Sequence, residues 1–530
     1  MRKEIDLALL PQDAAEEARL AARAAQALGI RPGQISALRV IRRSVDARRR
    51  HIVVNLRVLA CFDEPAPAFE AVAFSYPDVS SKEPVVVVGA GPAGLFAALR
   101  LIELGLKPVV LERGRPVSSR KRDIALIHRE HALNPESNYC FGEGGAGTFS
   151  DGKLYTRSKK RGDNRRALEI LRAHGASESI LYEAHPHIGS DRLPTVIARI
   201  RETVLRAGGE IHFDTRVTSL ATRNRTVAGV VTRQGDTVEG RAVILATGHS
   251  ARDVYEGLSQ AGLLLEAKPF AMGVRVEHPQ ALINAIQYHR DPQMAFLPPA
   301  AYSLVHQASG RGVYSFCMCP GGFIVPAATA PGEVVVNGMS PSLRNSPFAN
   351  AGLVVEVRAE DLAPFSAHGP LAGLRFQQAL EQEAFRHAGG GQTAPAQRVT
   401  DFIAGKPSSE LPETSYIPGL SASSLHAWLP SPIGARLHEG LRAFEQKMRG
   451  FVTREAVLVG VESRTSSPVR IPRDRETLQH VQLGGLYPCG EGAGYAGGIL
   501  SSAIDGENCA TAAAAWLGAS PASRTKETLL

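Results

Sequence analysis

Gly89-Ala90-Gly91-Pro92-Ala93-Gly94 is a GxGxxG turn, and the acid Glu112 stands 18 residues beyond Gly94. The turn follows the four-valine run Val85 to Val88 and opens a helix-like stretch with Leu95, Phe96, Leu99 and Ile102 on one face. In that context the glycines have distinct jobs: Gly89 permits a tight turn, Gly91 lets backbone approach a pyrophosphate, and Gly94 lets helix and sheet pack closely. Amides at the helix start then face the phosphates. Glu112 is placed to accept hydrogen bonds from an adenosine ribose, and its charge would repel a 2′-phosphate. Arg113, beside it, is counted in the same cofactor site. By itself the turn does not separate FAD from NAD.

Two later segments bear on that choice. The run Arg241 to Gly248 is an apolar strand closing on Ala246-Thr247-Gly248, and it resembles the second FAD signature of glutathione-reductase-like flavoproteins. In those proteins a residue after an earlier strand contacts adenine through its backbone, and Val217 matches it. The stretch Gly485 to Gly494 resembles their third signature, where an acid after a glycine reaches the ribityl chain. Here the pair is Gly490-Glu491, with Glu in place of the usual Asp. Gly497-Gly498 would begin a helix whose positive end stabilises reduced flavin. The resemblance implies non-covalently bound FAD; the cysteine spacing, with no CxxC pair, gives no reason to expect a metal.

The segment FGEGGAGTFSDGKL at 141–154, with ESRTSSPVRI at 462–471 and PCGEGAGYAGGI at 488–499, is more specific still. Together they resemble the bacterial FAD-dependent dehydrogenases of the NAD(FAD)-utilizing type, a family whose reaction and substrate are largely undefined. The likeness covers nearly the whole chain. It implies an α/β, glutathione-reductase-like FAD/NAD(P)-binding Rossmann fold, an inserted α+β substrate domain and a small N-terminal α+β domain.

Within the 142–153 loop, four of the first six residues are glycine, leaving amides free to approach a ligand. Gly144 and Gly145 are therefore expected against the flavin diphosphate or ring, the alternative being a purely structural loop. Arg464 and Arg470 lie six apart, a spacing that suits a guanidinium clamp for a small anion at the catalytic site. Salt bridges between domains are the competing reading. His249 is either a proton donor near the flavin or a structural histidine.

Those residues need elements to carry them. Residues 1–78 read as the N-terminal unit, 82–264 as the first part of the FAD domain and 265–455 as the inserted domain. Residues 456–518 read as the C-terminal part of the FAD domain, and 519–530 as a flexible tail. A second GxGxxG after a strand is missing, as is a redox CxxxxC, which argues against pyridine-nucleotide disulfide reductases. Electrons would then come from the substrate, from NAD(P)H docking transiently, or from a redox partner protein.

The chain has 530 residues, 44% of them apolar and 21% charged, ordinary for a globular protein. Its most apolar stretch, 84–106, contains Arg100 and Glu103, so no membrane span is expected. The N-terminus turns acidic at Glu4 and Asp6 with no apolar leader core, and a cytoplasmic location is expected by default. Six cysteines form no CxxC pair; Cys317-Met318-Cys319 is a CxC, read as reduced thiols or as a thiol near the flavin. The net charge is +8, with six Arg against one acid in 39–50 and eight Lys/Arg against two acids in 153–172. Neither block interleaves aromatics for stacking on bases, which argues against nucleic acid as partner. The reading is an FAD-dependent oxidoreductase acting on a small anionic or carbonyl-bearing molecule. An RNA-acting flavoenzyme and a non-catalytic flavin-binding redox sensor are the alternatives.

Overall fold

The computed structural model describes residues 1–49, 51–65, 72–155 and 162–519. Of the expected tail at 519–530 all but Ala519 lies outside the described residues, as do residues 156–161 of the second basic block. Val85 to Val88 are at most 5% exposed, as β-branched residues covered on both faces of a parallel sheet must be. Their strand, Pro84–Val88, is the centre of a five-stranded sheet. Val243–Leu245 and then Leu486–Pro488 lie to one side, and Lys107–Leu111 and Glu210–His212 to the other. Every pairing is parallel. This is the α/β Rossmann-type core.

On one face of the sheet the helix Pro92–Glu103 packs against the C-terminal helix Ile499–Trp516. Small residues let the two axes approach. A Cβ on Gly506 would lie 2.0 Å from the Ala93 carbonyl oxygen. The other face carries the antiparallel meander Val217–Arg223, Thr226–Thr232 and Thr237–Glu239. Val227 and Val230 of the meander share a buried cluster with Val86, Val88, Val109 and Leu111.

The inserted domain is built on a seven-stranded sheet centred on Phe348–Val357, Phe270–Pro279 and Val457–Glu462. The helix Ser431–Lys447 drives Ile433, Leu437, Leu441 and Phe444 into its main core. The hairpin Phe323–Pro326/Val336–Met339 packs across several of the sheet's strands. One expected boundary shifts. Val457–Glu462, assigned from sequence to the FAD domain, pairs with Phe270–Pro279 and Ala394–Arg398 and so belongs to the inserted domain. Its run of apolar residues would suit either sheet.

The N-terminal unit is a three-stranded antiparallel sheet, with Val53–Phe62 between Arg2–Leu9 and Ile35–Asp46, plus the helix Glu17–Leu28. It is tied to the FAD domain where Arg43 N–H donates to the Tyr182 carbonyl at 2.8 Å. Among the described residues no helix is long and apolar enough to cross a membrane.

Candidate cofactor and active site

The glycine turn has the expected shape. Gly89 has φ +103°, and a Cβ there would lie 2.5 Å from the Ala246 oxygen. A Cβ on Gly94 would lie 1.9 Å from the Gly89 oxygen, so this glycine sets the helix against the turn. Gly91 differs. A Cβ there would meet only the Gly145 Cα, at 3.8 Å. Gly91 caps the twelve-residue helix and, with Gly145, lines a cavity of about 400 Å³. Val217, Thr247, Gly248 and Glu112 line it too.

Glu112 has more partners than its sequence position suggested. It is buried, and its Oε2 accepts the Ala90 N–H at 2.8 Å. Its Oε1 accepts the N–H groups of Gly114 (2.9 Å) and Gly142 (3.0 Å). One carboxylate thus ties the glycine turn, the strand end and the 142–153 loop together, while still facing the cavity. Three of its roughly four acceptor sites are thus used, and Oε2 retains capacity for one further hydrogen bond.

Arg113 reaches the rim of the cavity. It pairs with Glu136 (2.8 Å) and Asp253 (2.9 Å) and lies over the Phe141 ring at 4.1 Å. Arg216 pairs with the same two acids, at 2.9 and 3.0 Å. Burial works to raise the Glu136 carboxyl, but Arg113 and Arg216 hold it below its usual range.

The 142–153 loop packs on the turn. Gly144 N–H donates to the Ala90 oxygen at 2.8 Å, and a Cβ on Gly147 would lie 3.1 Å from Ile499. Its scaffold was not legible in the sequence. Arg120, fully buried, donates to the carbonyls of Asn138, Tyr139 and Glu143. Glu143 in turn accepts from Val117 N–H and pairs with Arg201, both at 2.7 Å. Arg120 sits in an ordinary basic helical stretch, so no sequence signal marked it.

At the C-terminal signature, Gly490 has φ +76° and donates its N–H to Asp505 at 2.8 Å. Asp505 is held by Arg473 at 2.6 Å. Glu491 does not point at empty space: its Oε1 lies 3.5 Å from His249 Nδ1. Among the described residues no neighbouring atom lies within 4 Å of a Cβ placed on Gly497 or Gly498. They immediately precede the eighteen-residue helix Ile499–Trp516, at its positive end.

The expected arginine clamp is not formed. Arg464 is 8% exposed and committed to an internal network, with Glu381 at 2.8 Å, Glu333 at 3.4 Å and the Thr329 hydroxyl at 2.8 Å. Arg252 joins the same two acids. Arg464 is thus a structural ion-pair residue, the reading that had competed with catalysis. Arg470 stands apart from it, half-exposed, with Glu266 3.9 Å away and the Tyr495 ring 5.8 Å away. Among the described residues its buried Nε has no hydrogen-bond partner. Lys268 approaches the same spot: a Cβ on Gly494 would be 3.4 Å from both Lys268 and Arg470. Burial and Arg470 together hold the Lys268 ammonium below its ordinary range.

These residues fit FAD. The open Gly91 face, the amides at two helix starts, the cavity beside Glu112 and Val217, and the bare Gly497-Gly498 face are donors and space of the right kinds. Comparison with known proteins agrees. Residues 83–267 match the pyridine nucleotide-disulphide oxidoreductase model, and 269–465 match the FAD-dependent protein, C-terminal domain-like model. A domain of unknown function matches 1–61. An uncharacterized protein of Clostridium beijerinckii is 42% identical over 491 residues, covering 89% of this chain and 91% of its own. The thiamine thiazole synthase of Aeropyrum pernix is 30% identical over 199 residues, covering 35% of this chain and 61% of its own. Among solved structures, a geranylgeranyl bacteriochlorophyll reductase-like protein from Thermoplasma acidophilum has 14% identity and a TM-score of 0.35, covering 82% of this chain and 79% of its own. The L-amino acid deaminase from Proteus vulgaris has 12% identity and a TM-score of 0.33, covering 87% of this chain and 98% of its own. The chain belongs with the Clostridium beijerinckii protein to one family of FAD-dependent oxidoreductases, and its cofactor is FAD.

Proposed function

We propose that the protein passes a hydride between non-covalently bound FAD and a small anionic or carbonyl-bearing organic substrate. FAD, when bound, supplies the two-electron chemistry; the chain must bind, orient and move protons. The observation that carries the reading is the pair of cationic side chains Arg470 and Lys268 packed on Gly494, in the segment that leads into the helix start at Gly497-Gly498. Arg470, whose buried Nε has no hydrogen-bond partner among the described residues, and Lys268 both pack against Gly494, three residues before Gly497 in the chain. Such a pair attracts and orients an anion, and orientation is much of what a transfer site contributes. His249, facing Glu491 at 3.5 Å, is an imidazole in the same neighbourhood and can carry a proton. Arg470 takes the role first divided between Arg464 and Arg470.

The described arginines of the two basic blocks are largely spent on acids. Arg43 meets Glu183, Arg48 meets Asp46, Arg166 meets Glu103 and Glu507, and Arg172 meets Glu169. This supports a small molecule over RNA. NADH or NADPH is proposed only as a transient reductant.

Anaerobic screening of the purified yellow protein with NADH, NADPH and a panel of carboxylates and carbonyl compounds tests the reading. Bleaching by at least one panel member is expected, and it should be lost in Arg470→Ala with FAD retained. Bleaching by dithionite alone across the whole panel contradicts it.

A further inference from the structure

The CxC of the inserted domain is placed in a setting that ordinary buried thiols lack. Cys317, Met318 and Cys319 end the strand Arg311–Cys319. Its register with Phe348–Val357 shifts there: Phe316 faces Gly352 and Cys319 faces Asn350, so two residues oppose one. Cys317 takes φ +44°, a left-handed conformation that a non-glycine residue rarely adopts. In a regular strand, residues i and i+2 are about 6.6 Å apart, at the long end of the Cα separations a disulfide spans. Here the bulge bends the strand and brings Cys319 Sγ to 3.3 Å from the Cys317 carbonyl oxygen.

Cations surround the pair. Lys153 Nζ lies 3.9 Å from Cys317 Sγ and donates to the Met318 carbonyl. Arg275, fully buried, donates to the Cys317 carbonyl at 2.9 Å and reaches Cys319 Sγ at 3.7 Å. Glu462 pairs with Arg275 at 2.7 Å, while Asp151, 3.8 Å from Lys153, is itself held by Arg344 at 2.8 Å. Cys317 is partly exposed and Cys319 fully buried. The two thiols are pushed apart in acidity. Pairing with Cys319, whose Sγ donates to the Cys317 carbonyl at 3.3 Å, and then Lys153 and Arg275 pull the Cys317 thiol below its ordinary value against burial. Cys319 is pushed well above its ordinary value. A partly exposed thiol held low beside a fully buried thiol held high is the asymmetry of an attacking and a resolving cysteine.

The pair also connects to the cofactor half of the molecule. Lys153 ends the loop whose Gly144 and Gly145 pack on the glycine turn and whose Gly147 touches Ile499. The six steps of chain from Gly147 to Lys153 span at most about 22 Å.

We propose that Cys317 and Cys319 are a redox-active dithiol that cycles to a Cys317–Cys319 disulfide, with the flavin as its electron partner. The proposal rests on the FAD-oxidoreductase reading above. On reduction the S–S bond breaks and takes up one electron pair from reduced flavin, which is oxidised and gives up a proton. Cys317 leaves as the thiolate beside Lys153, and Cys319 takes that proton. On oxidation, the Cys317 thiolate and Cys319 thiol return the electron pair and the proton, and the S–S bond reforms. Lys153 and Arg275 are positioning residues.

The test uses the full-length holoprotein, isolated in air, quenched in acid, alkylated and digested. The peptide carrying Cys317-Met318-Cys319 is expected unalkylated and lighter by two hydrogens. Anaerobic dithionite titration is expected to take up two electron pairs per FAD in the wild type and one in Cys317→Ser or Cys319→Ser, a twofold drop. Alkylation of both thiols together with uptake of one pair per FAD overturns the proposal. So does a bridge found at Cys489–Cys509 instead. If the serine variants fail to fold, the native alkylation rate of wild-type Cys317 against pH decides. Its rise is expected on the acid side of an ordinary cysteine, moving upward in Lys153→Met; an ordinary profile that ignores Lys153→Met counts against the pair. Purified protein without FAD overturns the functional reading, while a bridged peptide in that same sample still upholds the thiol pair.

Discussion

The Glu112 carboxylate accepts the Ala90 backbone N–H at 2.8 Å, fastening the end of one sheet strand to the glycine turn that follows its neighbour. With Gly114 and Gly142 as its other donors, Glu112 is both a candidate ribose acceptor and a clamp within the protein. Glu112→Ala is therefore expected to cost stability as well as cofactor. Three amides lose a charged acceptor, and each orphaned group costs about 1–3 kcal/mol where water cannot replace it. A fall in denaturant midpoint of the apoprotein, together with weaker FAD retention, is the expected result. Loss of FAD affinity at unchanged apoprotein stability would reduce Glu112 to a ribose ligand alone.

The three fingerprint glycines should separate by substitution. Gly91→Val puts a side chain into the cavity, where the protein itself offers only Gly145 Cα at 3.8 Å. The variant is expected to fold and to purify colourless. Gly94→Ala meets the Gly89 oxygen at 1.9 Å, so it should lower the melting temperature of the apoprotein itself. Thermal melts of both apoproteins distinguish the two roles.

Arg464 and Arg470 were legible as residue types and not as surroundings. Arg464 finds its partner Glu381 83 residues earlier in the chain, and no local spacing announces such a pair. Arg464→Met is expected to leave Glu381 buried and short of one cation, costing about 3–5 kcal/mol. Urea unfolding measures this, and an unchanged midpoint would remove the network from the account. Arg470→Ala should leave the midpoint alone and act only on substrate-driven bleaching.

The parts of the fold that local chemistry dictates were readable: the valine strand, the glycine turn, the apolar run to Gly248 and the C-terminal signature. What depended on long-range pairing was not. Val457–Glu462 reads equally well as a strand of either sheet, and only its partners Phe270–Pro279 and Ala394–Arg398 decide. Arg120, which holds three carbonyls under the 142–153 loop, looks like any surface arginine until the loop is folded over it.

His278 gives a pH dependence of known sign. It is fully buried, its Nε2 hydrogen-bonds the Phe451 carbonyl at 2.8 Å, and burial pulls its pKa down to about 4. The unfolded chain binds that proton more readily than the folded one, near the ordinary value of 6.5. Folded-state stability is therefore lost as pH falls from there toward 4, and not as it rises. Between about pH 7 and about pH 5 this group alone removes about 2 kcal/mol. His278→Gln can keep the carbonyl contact and does not titrate. Its unfolding free energy should fall less over that interval than the wild type's, and equal falls would contradict the assignment.

The most direct test of the central claim is the flavin that denaturation releases from purified protein, identified by chromatography and counted per chain beside Gly91→Val. The expected result is FAD, about one per chain, free of the polypeptide, and none in the folded Gly91→Val variant. FMN as the sole flavin, flavin that stays on the chain in denaturant, or FAD undiminished in Gly91→Val would contradict it.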